Sequence, residues 1–164
     1  MKKIIAFILM FVVLASCHTD YSVGRPSDQA FLIELMPRLS AKVNINLFPE
    51  IYAGRSFKGN EHIIIYVTEV TPQLEQAISN VGYPENIKIQ VVEFSLLEIQ
   101  AVHDEIIEKI TEQEDELYAV ISMGINVKEN RLVIRVPNLK NYDIDQLHNK
   151  FSDSPVIRFE NLAD

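Results

Sequence analysis

Two neighbouring segments near the carboxyl end alternate apolar and polar side chains, and this alternation constrains the fold more than any other feature. Residues 117–127 place Ala119, Ile121, Met123, Ile125 and Val127 on one side. Leu132, Ile134 and Val136 continue that side in residues 131–136. A period of two is typical of strands with one buried face. The pair therefore predicts an antiparallel hairpin in a sheet that is covered on one side.

Strand signals recur at four other places, namely residues 51–57, 62–70, 87–94 and 156–160. The segment 62–70 is β-branched and apolar on both faces, which favours a central strand. Between the strands, Thr71 with Pro72 predicts the start of a helix that ends near Gly82. Ser95 with Glu98 forms a capping box that opens a long helix with Leu96, Ile99, Val102, Ile106 and Ile110 as its buried stripe.

Two shorter helices complete the pattern, one over residues 28–36 and one over residues 143–151. Ser27 is the predicted N-cap of the first, and Pro37 is predicted to end it. The segment 39–47 is ambiguous, and no internal repeat is evident. From residue 51 the order β-β-α-β-α-β-β-α-β predicts an α+β fold, with helices packed on one face of a largely antiparallel sheet.

The amino-terminal segment predicts export. Lys2 and Lys3 precede an unbroken apolar run over residues 4–13, and Leu14-Ala15-Ser16-Cys17 follows. This is the layout of a signal peptide, and its last four residues match the bacterial lipobox. The apolar run is shorter than the roughly 20 residues that span a bilayer. The competing interpretations are a secreted protein cleaved near Ala15 and an uncleaved short anchor.

The lipobox match implies a lipoprotein that begins at a diacylated Cys17, with palmitate-type chains holding it to the membrane. Cys17 is the only cysteine, so the exported chain has no intramolecular disulfide. The predicted organisation is a signal peptide over residues 1–16, a lipidated cysteine and tether over 17–26, and one α+β domain over 27–164. We expect localisation in the bacterial cell envelope, outside the cytoplasm, with the inner or outer membrane left open.

Charge argues against nucleic acid as a partner. Without Lys2 and Lys3 the chain has 13 basic and 23 acidic residues, a formal charge of −10. A polyanion or an anionic headgroup is a poor partner for that balance. We therefore expect attachment to the membrane through the lipid alone.

Three blocks of the domain resemble the propeptide, or foldase, domain of α-lytic-type serine proteases and streptogrisins. They are residues 49–54 with the strand at 63–67, residues 92–99, and residues 124–134. The family usually has a tyrosine-serine-leucine helix start in the second block and an asparagine-arginine-valine hairpin in the third. The resemblance covers about residues 48–160. Each block also has a purely structural interpretation, with Ser95 as a helix cap, Gly124 as a bulge and Asn130 as a turn residue.

The resemblance implies protein binding and no catalysis. Such propeptides fold their protease by packing a sheet against it and extending that sheet through an exposed strand, and they inhibit it with a carboxyl-terminal tail. This sequence contains no protease domain, and only four residues follow the last predicted strand.

One face of the predicted sheet is a candidate for partner binding. If Ile87, Ile89, Ile121, Ile134, Ile157 and Phe159 face the helices, the opposite face is basic and partly aromatic. We predict that it binds a partner through Tyr118, Ser122, Arg131, Arg135 and Arg158, with Lys88 and Gln90 beside them. The alternative is a solvated sheet face without a partner.

Signatures of enzymes and metal sites are absent from the sequence. The four histidines have no shared ligand spacing, and His103-Asp104-Glu105 lacks the second histidine of a zinc helix. The acidic run 112–116 lacks the glycine and spacing of a calcium loop. We predict no enzyme activity, no metal and no cofactor. The leading hypothesis is a protein-binding module that chaperones or inhibits an exported serine protease or another envelope protein. The alternatives are a binder of a small ligand or envelope glycan and an unrecognised hydrolase.

Overall fold

The computed structural model describes residues 26–59, 62–112 and 121–162. Cys17 with its leader, Tyr118 and the amino-terminal part of the predicted strand at 117–127 lie outside the described residues. Four helices and six strands are assigned in the described part. They are α1 (Pro26–Lys42), β1 (Tyr52–Lys58), β2 (His62–Val67), α2 (Pro72–Ser79), β3 (Ile87–Val91), α3 (Leu96–Glu112), β4 (Ser122–Asn126), β5 (Arg131–Val136), α4 (Ile144–Phe151) and β6 (Ile157–Asn161). This confirms the α+β class.

The strands form two three-stranded sheets where the sequence predicted one. The first sheet has the order β1-β2-β3 and the second β4-β5-β6. In each sheet the first two strands are an antiparallel hairpin, and the third strand is parallel to the second. Parallel neighbours need a crossover connection, and the crossovers here contain α2 and α4. The prediction that residues 62–70 form a central strand is confirmed for β2.

The element order is the same in the two halves of the domain. The first repeat runs α1-β1-β2-α2-β3 and the second runs α3-β4-β5-α4-β6. The sequence shows no internal repeat, so this similarity lies in the topology. Each repeat packs its two helices on one face of its own sheet.

Each repeat also has its own apolar core. In the first repeat α1 and α2 cover β2 through the buried residues Leu35, Leu39, Ile63, Ile65, Val67, Leu74 and Ile78. In the second repeat α3 and α4 cover β5 through Ile99, Ile106, Leu132, Ile134, Leu147 and Phe151. The predicted stripe of the long helix is confirmed for Ile99 and Ile106, which are fully buried, and for Val102 and Ile110, which pack beside them. Leu96, the first residue of the predicted stripe, packs against the core of the first repeat instead.

The predicted bounds of the first helix are wrong. The helix begins at Pro26, which places Ser27 inside its first turn, and it continues through Pro37 to Lys42. An internal proline removes a hydrogen bond and costs about 3 kcal/mol. Burial stabilises by roughly 1.5–3 kcal/mol for each large apolar side chain. Three such side chains extend from this segment into the first core, namely Leu35, Leu39 and Val43.

The other helix starts follow their local signals. The hydroxyl of Thr71 accepts a hydrogen bond from the Leu74 amide at 3.2 Å, and the Asp143 carboxylate accepts one from the Asp145 amide at 3.0 Å. In the capping box, the Ser95 amide donates to Glu98 Oε2 at 2.6 Å and the Glu98 amide donates to Ser95 Oγ at 3.2 Å. Across the described residues, no helix is long and apolar enough to cross a membrane.

Candidate functional site

The outer side of the second sheet is the surface that the sequence predicted to bind a partner. Met123, Leu132, Ile134 and Phe159 point to the helices, and the alternation of side chains places their neighbours on the other side. Ser122 pairs with Arg135, which pairs with Glu160. We call Ser122, Arg131, Arg135 and Arg158 the arginine face. The structure brings these four predicted residues together on one sheet.

Lys88 and Gln90 do not belong to that surface. Both lie on β3 of the first sheet, so the prediction of one continuous face with them was wrong. The error follows from the assumption of a single sheet, because the pairing of distant strands is not encoded in the local pattern.

The arginine face is an alternation of charges, whereas the sequence indicated a basic patch. Arg135 Nε lies 3.2 Å from Glu160 Oε2, and Arg158 Nη1 lies 2.6 Å from Glu129 Oε2. Arg158 also forms an ion pair with Glu160. The side chains of Arg135 and Arg158 are 42% and 47% exposed. Both guanidinium groups are therefore accessible to a partner. Ion pairs this exposed contribute little to stability.

Arg131 has a different environment. Its Nη2 donates to Glu93 Oε2 at 2.8 Å, and its guanidinium carbon lies 4.8 Å from the centre of the Phe94 ring. An arginine over an aromatic face gains a cation–π attraction. Glu93 and Phe94 belong to the connection between β3 and α3. Arg131 therefore joins the second repeat to the segment that follows the first.

Asn130 makes the same connection with its side chain. Its Oδ1 accepts from the amides of Glu93 and Phe94 at 3.0 and 2.7 Å, and its Nδ2 donates to the Phe94 carbonyl at 2.7 Å. The residue is buried and has a φ of 56°. Asparagine tolerates this left-handed conformation better than most residues. The structure thus gives Asn130 a role beyond the hairpin turn.

A third contact joins the repeats at Gly54. This glycine lies at a bulge in β1 with a φ of 117°. A Cβ atom at this position would lie 2.6 Å from Cγ1 of Val127, which begins the turn between β4 and β5. Only glycine fits so close an approach at this φ. We call Gly54, Glu93, Phe94, Val127, Asn130 and Arg131 the repeat junction.

The repeat junction is where the three blocks that carry the propeptide resemblance meet. Gly54 comes from the first block, Phe94 from the second, and Asn130 from the third. Gly124, in contrast, pairs with Val133 in an unbroken register, so the bulge lies at Gly54 instead. These blocks therefore share one place in the structure.

Tyr52 and two histidines are titratable side chains whose surroundings bear on the search for a catalytic centre. At Tyr52, burial raises the pKa of the phenol above its usual value of 10.0, and the charge of Arg55 opposes the rise. His103 contacts Asp104, while His148 Nδ1 lies 3.1 Å from the Ser152 carbonyl. Among the described residues no three histidine, cysteine or acidic side chains are grouped to hold a metal ion.

Two open grooves lie on the surface of the described part of the chain. The larger, of about 530 Å³, is lined by Asn138, Leu139, Lys140, Tyr142, Ile144 and Asn161. The smaller, of about 330 Å³, is lined by Leu47, Phe48, Pro49, Glu50, Ile51, Thr71 and Gln73. Both are open to solvent, unlike the enclosed pockets that bury most of a small ligand.

Comparison with protein families places a propeptide-like domain in the second repeat. Residues 97–162 match the family described as Pro-like C-terminal domain. The match runs from the first turn of α3 to the residue after β6 and includes the arginine face, Asn130 and Arg131. The first block of the sequence resemblance, residues 49–54, lies outside it. Comparison with curated proteins gave no match.

Two features of this region were not predicted from the sequence. The role of Asn130 beyond the turn was one, because a hydrogen bond across 36 residues to Phe94 leaves no local signal. The acidic partners of the arginines were the other. Arg158 and Glu160 are two residues apart on one strand, which indicates a shared face, but Glu129 becomes their neighbour only through the fold.

Proposed function

We propose that this protein is a non-catalytic, protein-binding module of the cell envelope, held to the membrane by lipid on Cys17, which chaperones or inhibits an exported serine protease. The observation that carries the proposal is the match of the whole second repeat to Pro-like C-terminal domains. A propeptide domain acts by binding a protein, so the match favours a protein-binding role for the second repeat.

The arginine face supports this proposal. Its arginines lie on the sheet side that faces away from α3 and α4, and arginine is favoured at protein interfaces. A partner that presents carboxylates can exchange the partly exposed pairs with Glu129 and Glu160 for its own, at small cost. Complementary charges across such a surface fix the register of the two proteins and select the partner.

The proposal of lipid attachment rests on residues 1–17, which lie outside the described structure. It is tested by labelling growing cells with a palmitate analogue and separating the membranes. We expect label on the full-length chain and its loss in Cys17→Ser, because two or three acyl chains anchor firmly where none would. Equal labelling of Cys17→Ser would contradict lipidation at this residue.

Protein binding is tested by capture from the envelope fraction with the full-length chain, immobilised in detergent. We expect a trypsin-like serine protease among the captured proteins, identified by mass spectrometry. The variant Arg135→Gln/Arg158→Gln should lower its capture by about tenfold or more, since loss of an interface arginine costs at least 1–2 kcal/mol. The variant leaves Arg131 unchanged, because a substitution of Arg131 would also disturb the repeat junction.

The matched control is Arg38→Gln. Arg38 is an exposed arginine on α1 that is likewise paired with a glutamate, Glu34, at 2.6 Å. It should leave capture unchanged. If Arg135→Gln/Arg158→Gln captures the protease as well as the unmodified chain does, the arginine face is not the interface. If no protease is captured by any variant, the proposed function is wrong.

A further inference from the structure

The free edge of β3 differs from the other sheet edges that the structure describes in full. The edge strand β1 is covered, since Tyr52, Ala53 and Ser56 are buried and Gly54 abuts Val127. The edge strand β6 has paired charges at Arg158 and Glu160, and charged side chains are a common protection of sheet edges. On β3, Lys88, Gln90 and Val91 are exposed, and no ion pair is formed by Lys88 within the described residues.

The backbone of β3 presents unused hydrogen-bonding groups on that edge. The Val92 amide donates to the Val67 carbonyl at 2.8 Å, and the direction of backbone groups alternates along a strand. The amides and carbonyls of Ile87, Ile89 and Val91 therefore point away from β2. Of these groups, the Ile87 amide donates to the Pro84 carbonyl, so Ile89 and Val91 supply the amides for another strand. A row of such groups is a template for another strand.

We propose that this edge binds a second copy of the same chain, with β3 pairing antiparallel to β3 of the partner about a two-fold axis at Ile89. In this register Ile87 lies opposite Val91 of the other copy, and Lys88 lies opposite Gln90. The pairing joins the two first sheets into one of six strands. It goes beyond the proposed function, since it uses the first repeat and a different surface.

The pattern Ile-Lys-Ile-Gln-Val is complementary to itself in this register. The three apolar side chains share the face of Ile87 and Ile89, so they meet apolar partners, and Val91, which is 60% exposed, becomes covered. An axis at Lys88 would place two lysines opposite each other, which is destabilising. An axis at Gln90 would leave Ile87 beyond the paired strand.

Disulfide trapping in the full-length chain tests both the dimer and its register. In a Cys17→Ser background, Lys88→Cys and Gln90→Cys chains are mixed in detergent under mild oxidation. An opposed pair that does not exchange hydrogen bonds has its Cα atoms about 4.5 Å apart, within the range of about 4.4–6.8 Å that a disulfide spans. We expect the mixed disulfide to form about tenfold faster than either chain links to itself, because the diagonal distances are longer.

The control is a mixture of Gln73→Cys and Gln76→Cys chains, which present exposed thiols on α2. Equal rates for this control and for the β3 pair would overturn the proposal, since they would report random collision. Faster self-linking of Lys88→Cys or of Gln90→Cys would overturn the register. Adding Val91→Lys should slow the mixed disulfide by about tenfold, because it places a charge opposite Ile87 of the other copy in place of an apolar side chain; an unchanged rate would also count against the edge.

Discussion

At the scale of single residues, the repeat junction depends on Asn130 more than on any exposed charge. Asn130→Ala would leave the amides of Glu93 and Phe94 without their acceptor and would hold alanine in a left-handed conformation. We expect the free energy of unfolding to fall by about 3 kcal/mol, from unsatisfied buried groups and from the backbone. Chemical denaturation of the two proteins measures this difference.

Asn138→Ala is the matched control for this change. Asn138 has nearly the same φ, 53°, but its side chain is exposed and makes no cap hydrogen bond. Only the backbone penalty of about 1 kcal/mol should apply. If both substitutions cost the same, the side-chain hydrogen bonds of Asn130 do not hold the repeats together.

Tyr52 gives the fold a dependence on alkaline pH. Burial raises its pKa above 10.0, so the folded state holds the phenolic proton more tightly than the unfolded state does. The stability that comes from burying the neutral phenol is fully present below pH 10 and is lost as the pH rises through the folded-state pKa. The free energy of unfolding should fall more steeply above about pH 10 in the unmodified protein than in Tyr52→Phe. Parallel slopes in a denaturation series would contradict this.

At the scale of elements, local chemistry predicted the starts of α2 and α3, whereas α1 begins before its predicted cap, Ser27. Thr71, Ser95 and Asp143 each cap a helix because a side-chain oxygen satisfies amides that the helix cannot. Pro37 is the exception, since its local preference is outweighed by burial that the neighbouring sequence does not reveal.

The capping box of α3 should contribute measurably to stability. Ser95→Ala removes the acceptor for the Glu98 amide at a residue that is 2% exposed. We expect a loss of about 1 kcal/mol and a lower melting temperature. Ser79→Ala is the control, since its hydroxyl donates to the Glu75 carbonyl on an exposed helix surface; it should cost less than about 0.5 kcal/mol. Equal effects would show that the cap is not the cause.

At the scale of the whole molecule, the pairing of strands was the part that the sequence could not reveal. The order of strands and helices from residue 51 is as predicted, yet it divides into two sheets. Lys88 and Arg135 alternate with apolar residues in the same way, so their patterns do not tell that they lie on different sheets. Likewise, the pairing of Arg135 with Glu160 depends on the register of β5 with β6, and the pairing of Arg158 with Glu129 depends on the turn that contains Glu129.

Two repeats with separate cores explain how a match to the second repeat alone is informative. Residues 97–162 include two helices, a complete sheet and a buried core, which are the parts of a folding unit. The repeat junction attaches this unit to the first repeat. The binding surface proposed for a protease lies on the second repeat, and the proposed dimer edge lies on the first, so the two interactions use separate surfaces.

The proposed function requires that the second repeat binds and acts on an exported serine protease. The most direct measurement is the activity recovered when that protease, purified from the same envelope and denatured, refolds with increasing amounts of the full-length chain, together with the activity of the native enzyme under the same titration. We predict a saturable change in recovered or native activity that Arg135→Gln/Arg158→Gln weakens and Arg38→Gln does not. No change in either activity, with the chain folded and in excess, would contradict the claim.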